Sequence, residues 1–313
     1  MKLTAVSKPV FIGTIFLGGA ILTSAPALAC SICRCGDATF NALGSGHMAQ
    51  SGWRLALDLD ETKKSQGSPD DEFSSVVERR TTLMAAYGTS DRFSLIVRQP
   101  VTQRDLTEAV GGVTEVSHAR AAGDTEIQTQ TRIWSSPFAG DVGLRTMLYA
   151  VVGVKTAWGQ NNARHDGERL DEHAQPGTGA TDWVVGLSGV HQLNPHSSLI
   201  ASIQQRVTGV NRYGYRYGRA TLFNFAAEYK LNERADVALE ANYRNSMRDE
   251  IEHAADDSTG GSLLYVTPHF LWHAGAGMVV RVAAQVPTSQ RGLNGAQHEQ
   301  TVWNLGLTWV QKQ

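Results

Sequence analysis

Trp53-Arg54-Leu55-Ala56-Leu57-Asp58-Leu59 decides how this chain is read, because its side chains alternate strictly between two solvents. In an extended strand successive side chains point to opposite faces, so Trp53, Leu55, Leu57 and Leu59 share one face while Arg54 and Asp58 share the other. One face suits lipid and the other suits water.

The pattern recurs. Candidate strands cover residues 51 to 60, 78 to 88, 92 to 99, 124 to 134, 144 to 156, 181 to 193, 198 to 208, 217 to 230, 235 to 246, 262 to 273, 276 to 286 and 301 to 311. The connectors alternate as well. Thr89-Ser90-Asp91, Asn194-Pro195-His196-Ser197, Asn232-Glu233-Arg234 and Ala274-Gly275 are short and rich in turn formers. Residues 61 to 77, 100 to 123, 157 to 180, 209 to 216, 247 to 261 and 287 to 300 form longer polar stretches. An even strand count with this double alternation predicts an all-β fold, a closed antiparallel transmembrane β-barrel of about 12 strands. The short turns then belong to the periplasmic side and the long connectors to the extracellular side. A large soluble β-sandwich is the competing architecture, and the systematic alternation of connector length argues against it.

Aromatics gather near strand ends, at Trp53, Tyr87, Phe93, Trp134, Trp183, Trp272 and Trp309, where a barrel places its interfacial girdles. Two features disturb the regularity. Pro268 falls inside the tenth candidate strand, where a lost ladder hydrogen bond predicts a bulge or a displaced boundary. The last strand puts Trp303, Leu305, Leu307 and Trp309 on one face, yet Val310-Gln311-Lys312-Gln313 follow.

Compartment follows from the first residues. Lys2 and Lys8 precede an apolar run from Val10 to Leu22, and Ala27-Leu28-Ala29 follows, which reads as a secretory signal over residues 1–29 cut after Ala29. Residues 30–50 then form a cysteine-containing periplasmic or plug segment, and residues 51–313 the barrel. Removal of the two lysines takes the formal charge from -2 to -4, and nothing suggests nucleic-acid binding. Beyond the signal no apolar stretch reaches the roughly 18 residues that a helical span needs.

Cys30, Cys33 and Cys35 are the only cysteines. Thiolates at this spacing can converge on a soft ion, so Cu(I) or Zn(II) is one expectation, with the freed amine of Cys30 as a further ligand. A disulfide with one thiol left over, or lipid attachment at Cys30, are the others. His165, Asp166, Glu168, Asp171, Glu172 and His173 crowd one connector, but their spacing matches no calcium loop, and a solvated charged loop is expected. His191 and His269 lie on strands without an accompanying nucleophile motif, so the chain reads as no enzyme.

The inner faces carry the candidates for a passage: Arg54, Asp58, Arg98, Glu126, Arg132, Arg145, Lys155, Arg206, Glu228, Lys230, Glu240, Arg244 and Arg281. They read either as a polar, somewhat basic route for solutes or as a salt-bridged filling of the barrel.

Several segments together resemble the outer-membrane β-barrel proteins associated with phenol-degradation meta pathways, a family described as transporters or porins. They are Tyr87 to Leu95 with its Asp91-Arg92 turn, Gly123-Asp124 before the fourth strand, Gln175-Pro176-Gly177-Thr178-Gly179-Ala180-Thr181-Asp182, Tyr217-Gly218, and Leu231 to Arg234 with Val237 to Glu240. The resemblance covers roughly residues 50 to 311. It implies passage of small, often hydrophobic organic molecules through the outer membrane of a Gram-negative bacterium, and it supplies no catalytic residues. The partners expected are outer-membrane lipid, small organic solutes and the barrel-assembly machinery. The rival from another class is a barrel-anchored metal-binding or redox protein centred on Cys30, Cys33 and Cys35.

Overall fold

The computed structural model describes residues 51–67, 72–90, 92–110, 112–136, 145–257, 259–291 and 298–311. Residues 1–50, with the expected signal and the three cysteines, lie outside the described residues.

Thirteen long strands build the wall: β1 (Gly52–Gly67), β2 (Glu72–Ser90), β3 (Phe93–Val110), β4 (Val113–Ala122), β5 (Glu126–Ser135), β6 (Thr146–Lys155), β7 (Asp182–Asn194), β8 (Ser197–Val207), β9 (Ala220–Asn232), β10 (Ala235–Ser246), β11 (Gly261–Gly275), β12 (Met278–Arg291) and β13 (Val302–Gln311). Each pairs antiparallel with its neighbours. β4 and β5 both lie against β3, separated by Gly123-Asp124-Thr125, and so occupy one place in the ring. The sheet closes where β1 pairs with β2 on one side and with β13 on the other, from Trp53 opposite Gln311 to Glu61 opposite Trp303. The result is a closed 12-stranded antiparallel barrel, in which every strand finds its backbone partners within the wall.

Alternation sorts the faces. Leu83, Trp134, Leu187, Phe225, Leu239 and Trp303 are exposed on the outside, whereas Arg98, Glu126, Lys155, Arg206, Glu240 and Asn242 are buried within. A closed barrel with its apolar face outward is the arrangement that crosses a bilayer. Trp53, Phe93, Trp134, Trp272 and Trp309 all fall at the end bearing the short turns, and Trp53 stacks on Tyr87 with ring centroids 4.8 Å apart. Trp183 and Trp303 stand at the opposite end, so the aromatics form two girdles.

The strands run on past the apolar band. Residues 61 to 77 and 100 to 123, expected as loops, are largely continuations of β1–β2 and β3–β4, paired as far as Gly67 with Phe73 and Val110 with Val113. Apolar alternation ends where lipid ends, but backbone pairing needs no apolar side chain, and Glu61 to Ser65 keep their ladder with polar residues on both faces. The stretch from Tyr215 to Ala255 likewise contains a small sheet of Tyr215–Arg216, Glu250–Ile251 and Ala254–Ala255.

Pro268 causes no bulge of its own. It pairs with Leu239 on β10, while the ladder to β12 passes from Val266 to His269 without a change of register. The register shift sits instead between Leu264 and Tyr265, opposite Pro287. The last strand includes Val310 and Gln311, which pair with Arg54 and Trp53.

Because Leu187 lies mid-strand on β7 and is 51% exposed on the outer face, Leu187→Arg should destabilise the inserted barrel by about 2–4 kcal/mol. Equilibrium unfolding from lipid vesicles measures this. An unchanged stability would show that the outer face does not meet hydrocarbon.

Candidate solute passage and its constriction loop

The connector from residue 156 to 181 leaves β6 and turns into the mouth of the barrel. Its innermost turn is a single 3-10 turn, Glu172–Ala174, capped by Asp171, whose side chain accepts the His173 N–H. Arg104, an inward residue of β3 only 2% exposed, donates to the backbone oxygens of His173, at 2.7 Å, and Gln175. This turn therefore lies against the inner wall. Gln175 stiffens the loop from within, accepting the Ala163 N–H at 2.8 Å and donating to the Leu170 oxygen at 2.7 Å. The solvated charged loop expected here is only partly that, since Glu172 and His173 are both buried.

The base of the loop is tied to the break between β4 and β5. Asp124 accepts from the Gly159 N–H at 2.9 Å through one carboxylate oxygen. The other accepts from the Thr178 N–H at 2.7 Å, the Thr178 hydroxyl at 2.6 Å and the Lys155 ammonium at 2.9 Å. Lys155, fully buried, also donates to Thr178 Oγ1 and to the Ala180 oxygen at 2.7 Å, and lies 3.3 Å from Asp182. Such closeness needs glycine. A Cβ on Gly159 would stand 2.6 Å from the Asp124 nitrogen, and one on Gly177 would stand 2.8 Å from the Gly159 Cα. Gly179 has φ +64° and faces Asn161 so closely that no side chain fits.

From this tether an ion-pair chain continues along the wall. Arg206 meets Glu126 at 2.6 Å and Asp182 at 3.8 Å, and Arg98 meets Glu126 at 3.3 Å and Gln128 at 3.0 Å. Thus Arg98, Glu126, Lys155 and Arg206, together with Asp124 and Asp182, form one buried group of three cations and three carboxylates. Their charges are spent on each other and on the loop.

The remaining candidates are scattered. Arg281 reaches Asp58 across β13, where Gly306 leaves room: a Cβ there would stand 2.6 Å from the Asp58 carboxylate. Glu240 is buried beside His269 at 3.0 Å and accepts from Asn242 at 2.7 Å. Arg244, also buried, donates to Ser246. Arg54, Arg132 and Glu228 are half-buried toward the short-turn end, and Ser198 donates to Glu228 at 3.3 Å. Arg145 precedes β6 and its backbone pairs with Gln192. Lys230 stands at the rim, 40% exposed and paired with Glu233 at 3.1 Å.

Sequence reasoning missed several inward residues. Lys64 and Arg104 fall in stretches read as loops, and Glu78 is the first residue of the second candidate strand; Lys64 pairs with Glu299 at 3.0 Å and Glu78 with Arg104 at 2.9 Å. Asp124 and Thr178 had a signal, since both belong to the Gly-Asp and Pro-Gly-Thr-Gly segments singled out above, but nothing in the sequence said that they meet. Apolar inward residues were missed too. Leu222, Leu263, Tyr265 and Val302 form one buried patch, and Val190, Ile200, Ala226 and Ala238 another.

No protein-family profile matches the chain, and no curated protein is detectably similar to it in sequence. Solved structures are similar in fold. The COG4313 outer membrane channel from Pseudomonas putida F1 superposes with a TM-score of 0.63 at 9% identity, covering 84% of this chain and 96% of that one. The Ralstonia pickettii toluene transporter TbuX gives a TM-score of 0.45 at 10% identity, covering 85% and 92%, and the CymD monoaromatic hydrocarbon channel 0.44 at 9%, covering 84% and 90%. At these identities the likeness is one of fold, that of an outer-membrane barrel.

Removing one partner from a buried ion pair leaves an uncompensated charge, at a cost of about 3–5 kcal/mol. Asp124→Asn should therefore release the loop while the barrel stays closed, and Gly177→Ala should do the same through steric conflict. Trypsin cleavage at Arg164 and Arg169 on folded protein measures it, with faster cutting expected in both variants. Unchanged cutting rates would mean that Asp124 does not hold the loop.

Proposed function

We propose that this chain is a passive channel for small organic solutes in the outer membrane of a Gram-negative bacterium, with the loop 156–181 setting its aperture. The observation that carries this reading is a structured loop turned into the mouth of a closed barrel and fixed there by buried ion pairs. A ring of 12 strands lies between the small barrels that side chains fill and the roughly 16–18-stranded ones that hold open aqueous channels, so one inward loop narrows the route substantially. The inner wall suits solutes of mixed character. Its charges are largely paired, and apolar patches such as Leu222, Leu263 and Val302 lie between them. The fold shared with the Pseudomonas outer membrane channel supports the same reading.

In this orientation the short turns face the periplasm and the long connectors face outward, lipid surrounds the apolar belt, and the barrel-assembly machinery inserts the chain. Residues 30–50 precede β1 on the periplasmic side and act as a further restriction. Passage of small, often hydrophobic organic molecules, as the phenol-pathway resemblance implies, is part of this proposal.

Planar-bilayer recording tests it. The mature protein should give discrete conductance steps, and replacing residues 160–175 by a short Gly-Ser turn should raise their size several-fold. Deleting residues 31–50 should raise it as well. Currents indistinguishable from protein-free membrane in all three forms, together with stoichiometric copper or zinc lost on replacing Cys30, Cys33 and Cys35, would favour the barrel-anchored metal module instead.

A further inference from the structure

His173, at the innermost turn of the loop, is clasped by two other connectors. Its Nε2 lies 2.8 Å from the Tyr215 hydroxyl and 3.2 Å from an Asp249 carboxylate oxygen, and Tyr215 donates its own proton to that oxygen at 2.6 Å. Since the tyrosine proton is committed to Asp249, Nε2 must carry a hydrogen to meet both oxygens favourably. The rings of Tyr215 and Tyr217 stand edge-on to the imidazole, with centroids 5.8 and 5.5 Å away. His173, Tyr215 and Asp249 are each at most 6% exposed. Asp249 is held in turn by the Gly218 N–H at 2.6 Å, and its own N–H donates to Thr259 at 2.7 Å.

We infer that this cluster is a proton-operated latch: a second proton on His173 completes a buried ion pair with Asp249 and keeps the loop in the barrel mouth, and loss of that proton releases it. The surrounding charges fit. From its own loop His173 has Asp171 and Glu172 as neighbours in sequence, from the 208–219 connector the neutral Tyr215 and Tyr217, from the 247–260 connector Asp249, and from β3 Arg104, which donates to the His173 oxygen. Arg104 is already paired with Glu78, and Glu172 with Arg169 at 2.8 Å. Among the described residues Asp249 pairs with no other cation. Burial also holds the Tyr215 phenol well above its ordinary range, so it stays a donor throughout.

The sign follows from which state gains the ion pair. The ion pair exists only while the loop is docked and His173 carries its second proton, so the latch is fully present at acidic pH and weakens as pH rises through the histidine range. Glu172 acts in the same direction. Burial raises its carboxyl above the usual range despite Arg169 and Asn211, so docking draws a proton there at low pH and is penalised as pH rises. Its contribution must be separated.

The effect of the latch on conductance rests on the channel reading above, whereas its effect on loop position does not. Spin labels at Glu168→Cys and Glu252→Cys, with Cys30, Cys33 and Cys35 replaced by serine, report the loop-to-loop distance by electron–electron double resonance. Between pH 5.5 and 8 the separated population should rise several-fold. His173→Phe and Asp249→Asn should abolish the response, and Glu172→Gln should leave most of it. An identical distance distribution at both pH values, or a full response in both His173→Phe and Asp249→Asn, would overturn the latch. Distances that respond while bilayer currents stay at the protein-free level would sustain the latch and sink the channel reading.

Discussion

The buried contact between Lys155 and Asp124 is the constraint from which the interior of this barrel is organised. Lys155 ends the sixth strand, Asp124 sits in the break before the fifth, and both are removed from water. Neither charge could stand there alone, because the desolvation of an isolated ion far exceeds what packing returns. The solution is dense. The ammonium is met by two carboxylates, a hydroxyl and a carbonyl, and the Asp124 carboxylate gathers two backbone amides as well. Those partners come from both ends of the inward loop, so satisfying one lysine folds 26 residues into a fixed course.

This division of labour explains why the inward charges differ so much in what they do. Those nearest the tether are saturated by one another and serve geometry. Lys230, at the rim, has water to compensate it and among the described residues pairs with an exposed glutamate, a contact worth little. A count of basic inward residues therefore overstates the field that a solute meets.

The wall was legible in the sequence because lipid imposes it residue by residue. A strand such as 53 to 59 must present Leu55 and Leu57 outward wherever it crosses, and that demand survives without any knowledge of its neighbours. The loop was less legible for the converse reason. Gly159, Gly177 and Gly179 owe their identity to contacts with residues 18 or more positions away, and Glu172 and His173 look like surface residues until the loop is known to turn inward. Likewise the extensions beyond the bilayer keep strand geometry without an apolar signature, which is why Lys64 and Arg104 were hidden in apparent loops. The Gly-Asp and Pro-Gly-Thr-Gly segments stood out only by resemblance, and the structure supplies the physical reason: they are the two halves of one joint.

Gly306 carries a consequence for how the barrel is made. It lies on the last strand, directly between Asp58 on the first and Arg281 on the twelfth, and its missing side chain lets the two charges meet across it. Slipping the final strand by one residue would turn every side chain to the other face and put Leu305 or Leu307 where the glycine stands. The ion pair could then not form, and a buried and a half-buried charge would be stranded at the seam. The seam ion pair thus favours one alignment of the first strand with the last over its slipped neighbours.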